Sequence, residues 1–348
     1  RIRTIYKRLD HLAGTEEGRI VLSRIGELAE MEAHLGKKED RKSLVAQLAD
    51  EGVLHPLLAN LAAYPHLYGH QEAAVRAIVA GRTTLLSTGT GSGKTEGFLY
   101  TIISRCLRMR EEGASPGIVA VLVYPMNALA EDQLERLRGL LAGTGVTFGM
   151  YVGKTPERPA DVTGKRLPVG ASRAAYDAAR QQRERDRERN RNQGNYAIHP
   201  PEERCSRSEM RSSGDRPRIL LTNVKQLELL LTRQKDVELF DGSRLEFIVF
   251  DEAHTFKGAQ GAETACLIRR LRGFCGRSAE QVTCVAASAT IVDPNGSDSA
   301  ARDFAARFFG VPADGVTVVT EQYVDEDWAA IRTLPPQEQR AVLRELQQ

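Results

Sequence analysis

The chain has 348 residues, 41% of them hydrophobic and 27% charged, a length that exceeds one ordinary compact core and predicts a large domain with appended pieces. Its 48 Lys and Arg nearly balance 46 Asp and Glu, so a net charge of +2 excludes an overall basic field and leaves any nucleic-acid surface to local clustering. No apolar run approaches the roughly 20 residues of a membrane span and no signal-peptide pattern opens the chain, so a cytoplasmic protein without a membrane partner is expected.

The first residue is Arg1 rather than Met, as expected of an excerpt or a processed product. From there to about Tyr64 the pattern is helical. Ile20, Leu22, Ile25, Leu28, Met31 and Leu35 fall near a 3.6-residue period, and Pro65 breaks the run. An N-terminal helical segment over 1–65 is therefore expected.

Beyond it, short apolar strands alternate with helical patterns. The strands are TTLLST (83–88), IVAVLVYP (118–125), VTFGMYVG (146–153), RILLTN (218–223), LEFIVFDE (245–252) and VTCVAASAT (282–290). Continuous apolarity rather than alternation suits parallel strands covered on both faces. The pattern predicts an α/β fold, a doubly wound parallel sheet.

The segment from about Pro156 to Asp215 departs from this pattern. It is polar, and Arg180, Arg183, Arg185, Arg187, Arg189 and Arg191 outnumber the interleaved Glu184, Asp186 and Glu188. Two readings stay open: a solvated helix or disordered loop, and an arginine-rich insertion touching a phosphate backbone. The tail from Gln322 holds the only tryptophan, Trp328, and a proline-started amphipathic pattern. Cys106, Cys205, Cys266, Cys275 and Cys284 form no C-x-x-C pair, and an odd count suits reduced, ordinary buried thiols.

Two stretches carry chemistry. In TGTGSGKT, between a strand and a helical pattern, Thr90, Gly91, Ser92, Gly93, Lys94 and Thr95 form the expected phosphate cradle. Gly91 and Gly93 let backbone N–H groups close on phosphate without a Cβ in the way. Lys94 reaches the β- and γ-phosphate oxygens and the Thr95 hydroxyl holds Mg²⁺. The strict pattern wants glycine where Thr88 stands. In FIVFDEAHTF, four apolar residues deliver Asp251 and Glu252 to the carboxyl end of a strand, where open α/β sheets gather ligands. Asp251 suits the metal and Glu252 the base that takes a proton from the attacking water, with His254 placed to report the state of the γ-phosphate. The SAT triplet, Ser288 to Thr290, ends a strand and is expected to link this loop to a neighbouring domain.

Together these residues resemble the first motor domain of superfamily 2 DEAD/DEAH-box helicases. The order matches: LYGHQ (67–71) is similar to the Q motif, TGTGSGKT to motif I and YPMNALAEDQ (124–133) to motif Ia. LTNVKQLELLL (221–231) then resembles motif Ib, DEAH motif II and SAT motif III. The wording resembles the YprA-like branch of DNA helicases, which includes the DrmA helicases of DISARM phage-defence systems.

The resemblance implies a RecA-like ATP-binding domain over 66–321, with ATP and Mg²⁺ as cofactors. It implies Tyr68 near adenine and Gln71 on its edge. Pro125, Asn127, Gln133, Thr222 and Asn223 would line the track for one DNA strand, and Gly153 and Lys154 would add a backbone contact. The separation of Lys94 from Asp251 is longer than such a domain needs, which places 156–215 as an insertion on the sheet's rim. Residues 322–348 are then a linker toward a second RecA-like domain, and defence-system proteins are further expected partners. No Q-x-x-G-R-x-G-R-like run follows Ser288, so this chain alone is expected to bind ATP but turn it over poorly. Movement 3′ to 5′ on single-stranded DNA is the implied activity. A duplex translocase of a restriction-type complex, and a nucleic-acid module merely gated by ATP, remain alternatives.

Overall fold

Residues that lead the strands are apolar on both faces, and two helical layers account for it. The computed structural model describes residues 44–62, 64, 66–88, 92–189, 196–288 and 298–320. The periodic run from Ile20 to Leu35, Thr90, Gly91, Arg191, Thr290 and the tail with Trp328 lie outside the described residues.

Helices α1 (Leu44–Asp50), α2 (Leu58–Leu61) and α3 (Gly69–Val79) lead into strand β1 (Thr83–Ser87) and the long helix α4 (Lys94–Glu111). Strand β2 (Ala120–Tyr124), helix α5 (Asn127–Leu141) and strand β3 (Phe148–Met150) follow. The polar segment holds β4 (Lys165–Arg166), α6 (Arg173–Arg189), β5 (Ile198–His199), β6 (Glu203–Arg204) and α7 (Arg207–Arg211). The chain then returns through β7 (Ile219–Asn223), α8 (Val224–Leu230), α9 (Gln234–Val237), β8 (Phe247–Phe250) and α10 (Gly258–Phe274). It continues with β9 (Thr283–Ser288), α11 (Asp298–Phe309) and β10 (Val316–Thr320).

Eight strands form one sheet in the order β10-β1-β9-β8-β2-β7-β3-β6, and every pairing described in it is parallel. Successive strand residues point to opposite layers. Leu86, Leu122, Val249 and Val285 pack against α1 to α5, while Leu85, Val121, Ile248 and Ala286 pack against α8, α10 and α11. That division is why the strands read as unbroken apolar runs, and it confirms the doubly wound α/β sheet expected from sequence. Val45, Leu48, Leu54 and Leu58, upstream of Pro65, belong to the first of these cores. The described residues fall in one unit that begins at Leu44.

The polar segment is neither a featureless loop nor a lone solvated helix. It contributes β6 to the edge of the sheet beyond β3 and buries Tyr176, Ala179 and Ile198 against Ala142. Arg138 on α5 grips Glu203 on β6 with two bonds of 2.7 Å, and His199 Nδ1 adds a third contact at 2.9 Å. Strand β10, which pairs with β1 in register from Thr83–Val316 to Ser87–Thr320, was not expected from the sequence. Three of the five thiols depart from the buried reading: Cys106 and Cys284 are buried, but Cys205 and Cys275 are half-buried and Cys266 is exposed.

Candidate active site

Parallel pairing brings the functional loops to one edge. Ser87 is in register with Ser288, Val123 with Phe250, and Tyr124 with Asn223, so the carboxyl ends of β1, β9, β8, β2 and β7 lie side by side. Phe250, the last residue of β8, is clasped edge-on by Phe256 at 5.4 Å and Phe308 at 5.1 Å between ring centres. The aromatic cluster fixes the point from which Asp251 and Glu252 leave the sheet.

A cleft of about 590 Å³ opens there. Tyr68, Gln71, Ser92, Gly93, Lys94, Thr95, Asp251 and Glu252 all line it, so eight residues expected at the nucleotide from sequence share one cavity. Lys94 starts α4 and is buried, and its Nζ donates to the Thr88 carbonyl at 3.0 Å. The Thr88 hydroxyl lies 2.6 Å from the Ser92 hydroxyl. Threonine in place of the strict glycine thus ties the two ends of the loop together.

Gly93 has φ +75°, and a Cβ there would lie 2.4 Å from Gln71 Nε2, so conformation and space both demand glycine. Gln71 Nε2 donates to the Gly93 carbonyl at 2.7 Å, and Gln71 Oε1 accepts the Tyr68 N–H at 2.7 Å. The Gln71 amide therefore braces the phosphate loop from within the cleft where the adenine edge is expected. Tyr68 is 67% exposed with its ring stacked on His70, and His70 Nε2 donates to the Ser92 carbonyl at 3.0 Å.

Burial lifts the Asp251 carboxyl above its ordinary range; the Glu252 N–H, donating at 2.9 Å, and the charges of Lys94 and Arg136 pull the other way without prevailing. Glu252 has φ +50°, the one positive φ among described non-glycine residues, a strained conformation of the kind that gathers at functional sites. Its carboxylate lies 3.2 Å from His254 Nδ1, which lies 3.2 Å from the Ser288 hydroxyl. The Ser288 carbonyl in turn accepts the Thr88 N–H at 3.2 Å. The expected base, His254 and the start of SAT are thus one chain of close polar contacts that ends at the phosphate loop.

The donor set fits a hydrated magnesium ion held by Thr95 and Asp251. Both line the cleft, and two acceptor oxygens on its walls, Glu96 Oε2 and Gln133 Oε1, are buried without a hydrogen-bond partner. Hard cations with oxygen ligands keep several waters, whose hydrogens need such acceptors.

Two positions expected on the strand track are placed elsewhere. Gln133 lines the nucleotide cleft, one turn and a half into α5. Thr222 is 0% exposed, and its hydroxyl donates to the Tyr151 carbonyl at 2.8 Å, so it ties β7 to the strand beside it. Pro125, Asn127, Asn223, Gly153 and Lys154 do gather on the rim beyond β2, β7 and β3. Asn223 Nδ2 donates to Asn127 Oδ1 at 2.8 Å, Lys154 pairs with Glu131, and the Gly153 carbonyl accepts Arg207 at 2.7 Å. The sequence reading missed Glu96 and Arg136 in the cleft. Arg136 had a signal, since it follows Gln133 by three residues and so shares its helix face.

Residues 68–170 and 174–296 match the DEAD/DEAH box helicase family. The chain belongs to that family. It is 29% identical over 332 residues to the Druantia protein DruE of Escherichia coli (strain UMEA 4076-1), covering 76% of this chain and 18% of that protein. It is 24% identical over 230 residues to the ATP-dependent helicase YprA of Bacillus subtilis (strain 168), covering 66% of this chain and 23% of that protein. The chain thus spans less than a quarter of either relative. Its fold is similar to that of the DUF1998 helicase MrfA bound to DNA, with a TM-score of 0.51 at 23% identity over 77% of this chain and 30% of that one. It is likewise similar to the DEAD-box helicase Mss116 bound to ssRNA, with a TM-score of 0.53 at 15% identity over 88% of this chain and 54% of that one. The RecA-like fold and the kinship with YprA-type and defence-associated helicases stand as the sequence reading had them. Among the described residues no helix is long and apolar enough to cross a membrane.

Proposed function

We propose that this chain is the nucleotide-binding motor half of an ATP-dependent DNA helicase or translocase. One observation carries the reading: Lys94, Thr95, Asp251 and Glu252 line a single cleft, on the same sheet edge where Asn127 and Asn223 bond to each other. Nucleotide and strand sites side by side on one rigid edge are what a motor needs to convert one into movement along the other.

In this reading Gly91, Gly93 and the neighbouring N–H groups of Thr90 and Ser92 surround the phosphates, and Lys94 leaves the Thr88 carbonyl for their oxygens. Thr95 and Asp251 hold Mg²⁺, which when bound offsets charge on the β- and γ-phosphates. Glu252 orients a water and takes its proton as the water oxygen bonds to the γ-phosphorus and the bond to the β–γ bridging oxygen breaks, leaving ADP and phosphate. His254, Ser288 and Thr290 carry the change in γ-phosphate charge away from the cleft. Tyr68 covers the adenine face and Gln71 keeps the loop shaped for it.

On the rim, Pro125, Asn127, Gly153, Lys154 and Asn223 hold the phosphate backbone of one strand without reading bases, through helix N-termini and amides. DNA is the preferred strand because the motif wording departs from RNA-helicase versions. A second RecA-like domain supplies the missing arginines, movement runs 3′ to 5′, and the setting is anti-phage defence in the cytoplasm, as the likeness to a Druantia protein suggests.

The test is binding of a labelled single strand, DNA or RNA of one sequence, to the purified chain with and without Mg²⁺ and a non-hydrolysable ATP analogue. The reading expects tighter DNA binding that responds to nucleotide, with the response lost in Lys94→Ala. Equal or tighter RNA binding overturns DNA as substrate, and absence of any nucleotide response overturns the motor.

A further inference from the structure

Arg136 is the feature of the cleft that the reading above leaves without a task. It sits on α5, three residues beyond Gln133, and lines the cleft together with Lys94, Thr95 and Asp251. Its partner is Glu96, the residue directly after the Thr95 hydroxyl, with Arg136 Nη2 3.3 Å from Glu96 Oε1. That contact is long and engages one oxygen only; the other, Glu96 Oε2, is buried without a partner. Contrast the pair two residues further along the same helix, on its other face, where Arg138 holds both oxygens of Glu203 at 2.7 Å. A guanidinium satisfied by its carboxylate adopts that fork, so Arg136 is loosely held where Arg138 is locked.

Charge and exposure point the same way. The Glu96 side chain is 5% exposed and that of Arg136 is 33%, so the carboxylate is fixed in the wall while the guanidinium reaches the opening. The positive charge of Arg136 is felt at Asp251 and at the Tyr124 hydroxyl beneath it. A nucleoside triphosphate in this cleft carries several negative charges, and in a partly desolvated site a planar five-donor cation binds phosphate oxygens better than it binds half of one carboxylate.

We propose that Arg136 is a second phosphate-binding cation of the cleft, stored on Glu96 and passed to the triphosphate when nucleotide binds. The proposal rests on the nucleotide reading of the cleft. It makes Arg136 a discriminator of triphosphate from diphosphate supplied from within this domain, in addition to Lys94. Glu96 is then a competitor for the guanidinium, and its removal favours the nucleotide.

The experiment is equilibrium binding of fluorescent ATP and ADP analogues with Mg²⁺ to the purified chain and to Arg136→Ala, Arg136→Lys, Glu96→Gln and Lys94→Ala, each checked by thermal melting. Arg136→Ala is expected to weaken the triphosphate about tenfold and the diphosphate much less, with Arg136→Lys between it and the parent. Glu96→Gln is expected to tighten the triphosphate. Unchanged binding in Arg136→Ala with binding lost in Lys94→Ala overturns the proposal and leaves the cleft reading intact. Equal weakening by Arg136→Ala and Glu96→Gln overturns it in favour of a pair that merely shapes the wall. Unchanged binding in Lys94→Ala overturns the cleft reading itself.

Discussion

The Ser288 hydroxyl lies 3.2 Å from His254 Nδ1, joining the last residue of β9 to the loop that follows β8. Because His254 Nδ1 is also 3.2 Å from the Glu252 carboxylate, the ring is shared between the expected base and the SAT strand end. Ser288→Ala removes one leg of that bridge without touching Lys94, Thr95 or Asp251. Nucleotide affinity is expected to stay within about twofold, while the effect of nucleotide on strand affinity falls by a coupling of about 1–3 kcal/mol. Titrating strand with and without ATP analogue measures it. Loss of nucleotide affinity itself would place Ser288 in the binding site instead.

Asn223 has two tasks that substitution can separate. Its Oδ1 accepts the Gln226 N–H at 2.8 Å and caps α8, and its Nδ2 donates to Asn127. Asn223→Ala is expected to cost about 1 kcal/mol of stability through the lost cap. Asn223→Ser restores the cap and the melting temperature but not the amide, so strand affinity stays low. Asn127→Ala lowers strand affinity without any change in melting.

The buried pair Arg138–Glu203 pins the polar segment to α5. Burial works against ionisation of Glu203, but the Arg138 fork and His199 outweigh it and hold the carboxyl below its usual range. His199, Glu203 and Cys205 lie close enough to suggest a metal site. Both Glu203 oxygens and both His199 nitrogens are already engaged, His199 Nε2 with the Thr163 carbonyl at 2.9 Å. Arg138→Ala or Glu203→Ala is expected to destabilise by about 3–5 kcal/mol by stranding the other charge. The paired change Arg138→Met with Glu203→Leu costs less than either, by denaturant unfolding, and added zinc leaves all of them unmoved.

Without metal, Asp251→Asn is expected to be more stable than the parent. Its folded pKa is raised by burial, so ionising it costs more in the folded chain than in the unfolded one. The parent's stability therefore falls as pH rises through that raised value. Asp251→Asn carries no such cost. Its melting advantage is expected to be largest at neutral pH, to shrink as pH falls and protonates the parent, and to reverse when Mg²⁺ and nucleotide are added.

The architecture was legible because each central strand is covered on both sides, which leaves a short apolar run set off by the helical patterns on either side of it. Asp251 and Glu252 were legible because they directly follow Phe250, the last residue of β8, and Lys94 and Thr95 because they open α4 after a glycine-spaced loop. Strand β10 escaped notice because Val316, Thr317, Val318, Val319 and Thr320 mix polar and apolar residues as an edge strand does. Thr222 misled because its motif position says nothing of which way a strand residue points, and here it points inward. The polar segment misled because composition averages Arg180 to Arg189 over its length and hides the few residues, Tyr176, Ala179, Ile198 and Glu203, that anchor it. Arg136 and Glu96 come from separate helices, and only the packing of α4 beside α5 joins them.

Magnesium affinity tests the central claim most directly. Manganese, read by paramagnetic resonance in the presence of an ATP analogue, reports the ion in place of magnesium. One nucleotide-dependent site is expected in the parent, weakened at least about tenfold in Asp251→Asn and in Thr95→Ala, with the folded state intact by melting. Full retention of that site in both variants would contradict the account, because the ion would then be held by other residues and the cleft would not be the motor's.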